Sequence, residues 1–92
     1  MNKFLDLLVE SKSLLEKCEE RHWSEKINEV IKKINNGSDF HEKEIRSWFG
    51  SMGSINDLYL TKHNGHKIEP DQEDVVNARF RKLLDKLFSE VK

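Results

Sequence analysis

Histidine and cysteine are the side chains in this 92-residue sequence best suited to metal binding. His63 and His66 stand three residues apart around a predicted turn, close enough to share a metal ion. A catalytic zinc site takes three protein ligands and a structural zinc site takes four, so His41 or Cys18 would have to be brought in by folding. We therefore predict that His63 and His66 are exposed turn residues and that the protein uses no metal or other cofactor.

Nucleophilic catalysis would need a serine or cysteine that is activated by a neighbouring base. Ser51, Ser54 and Cys18 are the candidates, but no spacing pairs any of them with a histidine. The glycine-rich residues 50–54 also lack the Lys-Ser/Thr ending of a phosphate-binding loop. We predict that the protein is not an enzyme.

Two clusters of carboxylates are better candidates for a functional surface. The first crowds the end of the first predicted helix, where the helix dipole disfavours anions; it contains Glu16, Glu19 and Glu20. The second lies at the start of the last predicted helix, where exposed N–H groups favour anions; it contains Glu69, Asp71, Glu73 and Asp74. We predict that both clusters bind a basic partner protein.

The two helices that carry the first cluster are predicted from apolar residues at helical spacing. The first helix is predicted at about residues 2–20, with an apolar face that runs from Phe4 to Cys18 and includes the polar Ser11. The second helix begins near Trp23 and ends at Asn35-Asn36-Gly37, a left-handed stop signal.

The third helix is predicted at about residues 39–49, with Ser38 or Asp39 as its N-cap and Gly50 after its last turn. Its predicted apolar members are Phe40, Ile45, Trp48 and Phe49. The last helix is predicted at about residues 70–91, where Pro70 suits the first turn. Its apolar face is long and continuous, and it consists of Val76, Phe80, Leu83, Leu84, Leu87 and Val91.

Residues 50–68 are compatible with a helical turn, a small hairpin, or both. Ser54 and Asp57 resemble a capping pair that starts a turn, whereas Asn64-Gly65 is typical of a type I′ hairpin. Four amphipathic helices bury their apolar faces by packing on one another. The sequence thus predicts an all-α fold: one domain, residues 1–92, with a compact four-helix bundle and an irregular glycine-rich loop or short hairpin before the last helix.

Composition narrows the function classes. Sixteen basic and seventeen acidic residues give a net charge of -1, which argues against binding nucleic acid by bulk electrostatics. No apolar run approaches the roughly 20 residues of a membrane span, and Asp6 and Glu10 interrupt any signal-peptide core. A single cysteine suits a reducing compartment, so we expect a cytoplasmic protein.

Residues 48–58, Trp48-Phe49-Gly50-Ser51-Met52-Gly53-Ser54-Ile55-Asn56-Asp57-Leu58, resemble a glycine-rich GGMGSLNDL turn found in a family of small bacterial proteins of uncharacterised function. The resemblance extends over about half the chain, from residue 40 onward, and includes Asn64-Gly65-His66. Ser51 and Ile55 depart from the pattern.

Proteins that look like this are often immunity proteins of polymorphic toxin systems, including contact-dependent growth inhibition. The resemblance implies a protein, monomeric when free, that neutralises a cognate toxin domain, commonly a nuclease, by blocking its active-site cleft. A self-associating helical module, using Val75, Leu84 and Phe88, is one alternative. A metal-dependent or hydrolytic enzyme using His63, His66 and Asp57 is another.

Overall fold

A computed structural model describes residues 3–37, 41–49 and 54–91, and within them it contains four α-helices and no strand. The helices are α1 (Lys3–Lys17), α2 (Arg21–Asn35), α3 (His41–Arg46) and α4 (Glu73–Val91). Three short 3₁₀ turns lie between α3 and α4, at Ile55–Asp57, Lys62–Asn64 and Pro70–Gln72. The predicted all-α fold is confirmed.

Helix α1 ends three residues earlier than predicted, at Lys17. The Glu19 N–H donates to the Glu16 carbonyl (3.0 Å), and the Glu20 N–H donates to the Leu15 carbonyl (2.9 Å). These two bonds form a Schellman motif, which places one residue in the left-handed conformation. That residue is Glu19, with φ of 57°, where glycine is the usual choice.

Helix α2 begins directly after this motif, with Glu20 as its N-cap. The Glu20 carboxylate accepts a hydrogen bond from the Trp23 N–H at 2.8 Å. The predicted stop is confirmed: Gly37 has φ of 82°, and its N–H donates to the Ile34 carbonyl at 3.0 Å.

Helix α3 ends at Arg46, earlier than predicted, because Ser47 donates the last bond to a carbonyl four residues back, and the Trp48 and Phe49 N–H groups donate to carbonyls three residues back. Trp48 is buried, and its carbonyl accepts from the Ile55 N–H at 2.8 Å. The predicted helical turn after Ser54 is confirmed as the 3₁₀ turn Ile55–Asp57, but the Ser54 side chain makes no capping hydrogen bond there. The predicted caps and apolar members at Ser38, Asp39, Phe40 and Gly50 lie outside the described residues.

The hairpin considered at Asn64-Gly65 is absent from the described residues. Instead, the 3₁₀ turn Lys62–Asn64 ends at Gly65, whose φ of 84° reverses the chain. The Thr61 hydroxyl caps this turn by accepting from the His63 N–H at 3.4 Å. The amide–glycine pair therefore closes a helical turn and not a pair of strands.

The core lies where α1 packs between α2 and α4, and α3 closes it against α4. Helices α1 and α4 run antiparallel: Leu14 and Cys18 border Val76, whereas Leu7 borders Ser89. Trp23 and Trp48 meet edge to face, with centroids 6.1 Å apart, and join α2 to the turn after α3. Among the described residues, the fully buried apolar side chains are Leu8, Leu15, Ile27, Val30, Ile45, Ile55, Leu60, Phe80 and Leu87.

The bundle measures 39 × 23 × 20 Å. None of the described helices has the length and apolar character that a membrane span requires.

Candidate functional site

The two acidic clusters lie at the same end of the bundle. Because α1 and α4 are antiparallel, the α1–α2 turn sits beside the segment that leads into α4. The Lys67 N–H donates to the Cys18 carbonyl at 2.8 Å, and the Lys67 ammonium lies 3.9 Å from the Glu19 carboxylate. We call the resulting surface the acidic end, which comprises Glu16, Glu19, Glu20, Glu69, Asp71, Glu73 and Asp74.

Solvent exposure divides the acidic end into two groups. Five carboxylates are exposed, on Glu16, Glu19, Glu69, Asp71 and Asp74. Glu20 and Glu73 are only partly exposed, and their carboxylates accept hydrogen bonds from within the protein. Within the described residues, the five exposed carboxylates accept no such internal hydrogen bond.

Glu20 lies at a different helix end from the one predicted. It does not lie at the C-terminus of α1, where a carboxylate is disfavoured, but at the N-terminus of α2, where the helix dipole favours it. One carboxylate oxygen caps Trp23, and the other lies 3.2 Å from His66 Nε2. The crowding of negative charge in the first cluster therefore has a partly structural explanation.

His66 is buried, with 8% of its surface exposed, so its prediction as an exposed turn residue was wrong. His66 Nδ1 accepts from the Thr61 N–H at 3.2 Å, which leaves the proton on Nε2 to be donated to Glu20. Both ring nitrogens are therefore engaged. His63 is exposed, as predicted.

A shared metal site finds no support in this arrangement, since His66 could ligate a metal only by breaking one of its hydrogen bonds. Within residues 3–37, 41–49 and 54–91, no three His, Cys, Asp or Glu side chains are grouped to hold a metal ion. The side chain of His41 lies outside the described part of the structure.

The candidate nucleophiles that the structure describes, Cys18 and Ser54, are both buried. Cys18 is buried directly after α1, and this burial raises the pKa of its thiol, which disfavours the reactive thiolate. Ser54 is buried under the turn that follows α3, and Ser51 lies outside the described residues.

Glu73 accepts two hydrogen bonds from the segment opposite it. The Thr61 hydroxyl donates at 2.7 Å and the Lys62 N–H donates at 3.1 Å. These bonds, the hydroxyl's first, hold the pKa of Glu73 below its ordinary value of 4.5 because they favour the charged form. Glu73 thus joins the start of α4 to the 3₁₀ turn Lys62–Asn64.

Asn77 completes this junction and was missed by sequence reasoning. Its side-chain amide accepts from the Leu60 N–H and donates to the Leu60 carbonyl, both at 2.8 Å. It also donates to the Glu73 carbonyl at 2.8 Å. The available signal was a polar residue three positions before Phe80, on the apolar face of α4.

A shallow groove of about 470 Å³ lies along the α1–α2 turn, between Glu16 and Glu25. Glu25 is exposed and adds a carboxylate that sequence reasoning did not select. The ion pairs Lys12–Glu16 (3.7 Å) and Lys67–Glu19 (3.9 Å) are long and exposed, so they hold these carboxylates weakly. The groove can therefore present its negative charge to a partner.

The apolar residues proposed for self-association do not form a continuous surface. Leu84 is buried in the core. Val75 and Phe88 are exposed, but thirteen residues separate them, or roughly 20 Å along α4 and about 140° around it. Phe88 packs on Phe49 with centroids 4.9 Å apart. The described part of α4 thus exposes two large apolar side chains that lie far from each other, of which Phe88 also packs on Phe49.

Comparison with curated proteins and with solved structures found no match. A family model described as a domain of unknown function (DUF6966) matches residues 16–69. The match begins at the first acidic cluster, includes both Glu20 and His66, and overlaps the resemblance noted from residue 40 onward. The chain belongs to the DUF6966 family.

Proposed function

We propose that this protein is an immunity protein that binds a cognate bacterial toxin domain and blocks its active-site cleft through the acidic end. The observation that carries the proposal is that two acidic clusters, far apart in sequence, lie at the same end of the bundle, where Lys67 contacts Glu19 and the Cys18 carbonyl. The resemblance to immunity proteins supplies the biological context.

The chemistry of a nuclease explains why such a surface would inhibit it. A nuclease attracts the phosphate backbone with a positively charged cleft. A surface with five exposed carboxylates complements that cleft and competes with the nucleic acid for it. Attraction between opposite charges also accelerates association, which suits a protein that must intercept a toxin before it acts.

The backbone beneath the acidic end is held by internal hydrogen bonds. The Schellman motif fixes Glu19, the N-cap fixes Glu20, and the Lys67 N–H ties the neighbouring segment to the Cys18 carbonyl. A surface already ordered before binding loses less conformational entropy when a partner docks. This arrangement supports tight binding by a small domain.

The test is co-expression with the C-terminal domain of the protein encoded immediately upstream, followed by calorimetry at two salt concentrations. We expect nanomolar binding that weakens as salt rises, together with rescue of cells from that domain. The double variant Glu16→Gln/Glu19→Gln should weaken binding by at least tenfold.

The matched control is Asp85→Asn/Glu90→Gln, which removes two exposed carboxylates near the other end of α4 and changes the net charge equally. This control should bind like the wild type. Equal losses in both double variants, or the absence of binding by the wild type, would overturn the proposal.

A further inference from the structure

The 61–67 loop, Thr61 to Lys67, differs from the rest of the described bundle in what it buries. The residues on either side of it are apolar and join the core: Leu60 is fully buried and Ile68 is partly buried. Between them, only Thr61 and His66 are buried, and both are polar. The other five residues of the loop are exposed. The loop therefore contributes no apolar side chain to the core.

Hydrogen bonds hold the loop to two separate helix starts. On one side, the Thr61 hydroxyl and the Lys62 N–H donate to the Glu73 carboxylate at the start of α4. On the other side, His66 Nε2 donates to the Glu20 carboxylate, and the Lys67 N–H donates to the Cys18 carbonyl. The two carboxylates of the acidic end that are occupied internally are both acceptors for this one loop.

Two bonds inside the loop connect these attachments. The Thr61 N–H donates to His66 Nδ1, and the His66 N–H donates to the Thr61 carbonyl, both at 3.2 Å. Thr61 thus contacts Glu73 through its hydroxyl and His66 through its backbone. Loss of one attachment loosens the residue on which the other depends.

Water can replace these hydrogen bonds, whereas nothing replaces apolar contacts that a core residue loses. Segments with few buried apolar contacts open at a lower free energy than the whole domain. The left-handed Gly65 lies at the tip of the loop and has open space where a Cβ would stand. Opening the loop requires no movement of Leu60 or Ile68.

We propose that the 61–67 loop opens as one unit while the four helices stay packed, and that opening releases the Glu73 carboxylate and the Glu20 oxygen that faces His66. If the proposed function holds, on which this last consequence rests, the loop regulates the binding surface. The closed form presents five exposed carboxylates. The open form adds the Glu73 carboxylate and one oxygen of Glu20, whose other oxygen still caps Trp23.

Native-state amide exchange of the free protein, followed by NMR, tests the opening. The reporters are the Lys62 and Lys67 amides, one on each attachment, and the Val30 and Leu83 amides in α2 and α4. We expect the two loop amides to exchange through one common opening, whose population is at least tenfold higher than that of the opening that exposes the helix amides. Low urea should leave the exchange rates of the two loop amides unchanged. Loop amides that exchange only with global unfolding would overturn the proposal.

Thr61→Val removes the hydroxyl bond to Glu73 and keeps the side-chain shape, whereas Thr61→Ser keeps the hydroxyl. In the valine variant, we expect exchange of the distant Lys67 amide to rise about tenfold while the Val30 and Leu83 amides change little. The serine variant should resemble the wild type. A rise confined to Lys62 would show two independent attachments and would refute opening as a unit. No partner is needed, so this result stands apart from the toxin-binding test.

Discussion

Replacing Glu19 by glycine should stabilise the protein. Glu19 adopts φ of 57° at the end of α1, a conformation that costs an L-residue about 1 to 2 kcal/mol. Glycine avoids this cost, but its greater freedom in the unfolded chain favours unfolding by roughly 0.5 to 1 kcal/mol. The exposed Lys67 pair at 3.9 Å contributes little. The net expectation is a gain of about 0.5 to 1 kcal/mol.

The assay is urea unfolding followed by tryptophan fluorescence, with thermal unfolding as a second measure. A gain of this size raises the Tm by roughly 2 to 8 °C in a domain of this length. Glu19→Ala is the decisive control, because it removes the charge and keeps the Cβ at positive φ. The alanine variant should lie within about 0.5 kcal/mol of the wild type.

If alanine stabilises as much as glycine, the explanation would be relief of repulsion among carboxylates and not backbone strain, and the reasoning from φ would fail. In the proposed function, both variants lose a carboxylate of the binding surface and should bind the toxin domain more weakly. The glycine variant would then be the more stable protein and the poorer inhibitor, a trade that is expected where strain is kept at a functional position.

Three further predictions follow from buried or bonded groups. Asn77→Ala leaves the Leu60 N–H and carbonyl without partners, so it should lower the free energy of unfolding in urea by about 2 to 4 kcal/mol. The control is Asn64→Ala, which removes an exposed amide that donates to the Tyr59 carbonyl and should lower it by under about 0.5 kcal/mol. Glu73 has a pKa below 4.5 in the folded protein, so its contribution to stability should be complete above pH 4.5 and disappear as pH falls through that lowered pKa. The free energies of unfolding of the wild type and of Glu73→Gln, measured from pH 7 to acid, should therefore converge as pH falls. A difference that stays constant with pH would contradict the assignment. Cys18 is buried, so a thiol reagent should label it slowly until urea unfolds the protein. Rapid labelling of the native state would show that the chain opens locally at the end of α1.

The helices were predictable because each buries one apolar face at regular spacing, and Gly37 marked the end of α2 directly. The end of α1 was misplaced because no glycine marks it: Glu19 takes the left-handed position instead. The pair Asn64-Gly65 indicated a reversal correctly but not its type, since Gly65 supplies the same positive φ to a helical turn as to a hairpin.

The acidic end was predictable in composition but not in arrangement. Charge and spacing identified the carboxylates, whereas the antiparallel packing of α1 and α4 determines that the two clusters meet. The burial of His66 was not predictable from its neighbours, because its partners, Glu20 and Thr61, approach only in the folded chain.

The region that identifies the family is smaller than the unit that folds. Residues 16–69 supply Trp23, Ile27 and Leu60 to the core, but Leu8, Phe80 and Leu87 come from α1 and α4 outside it. A fragment cut at the family boundaries would expose the apolar surface that these two helices cover, and it would separate Leu60 from Asn77. Such a fragment should aggregate or remain unfolded, so this protein needs α1 and α4 to fold as well as the segment that the family shares.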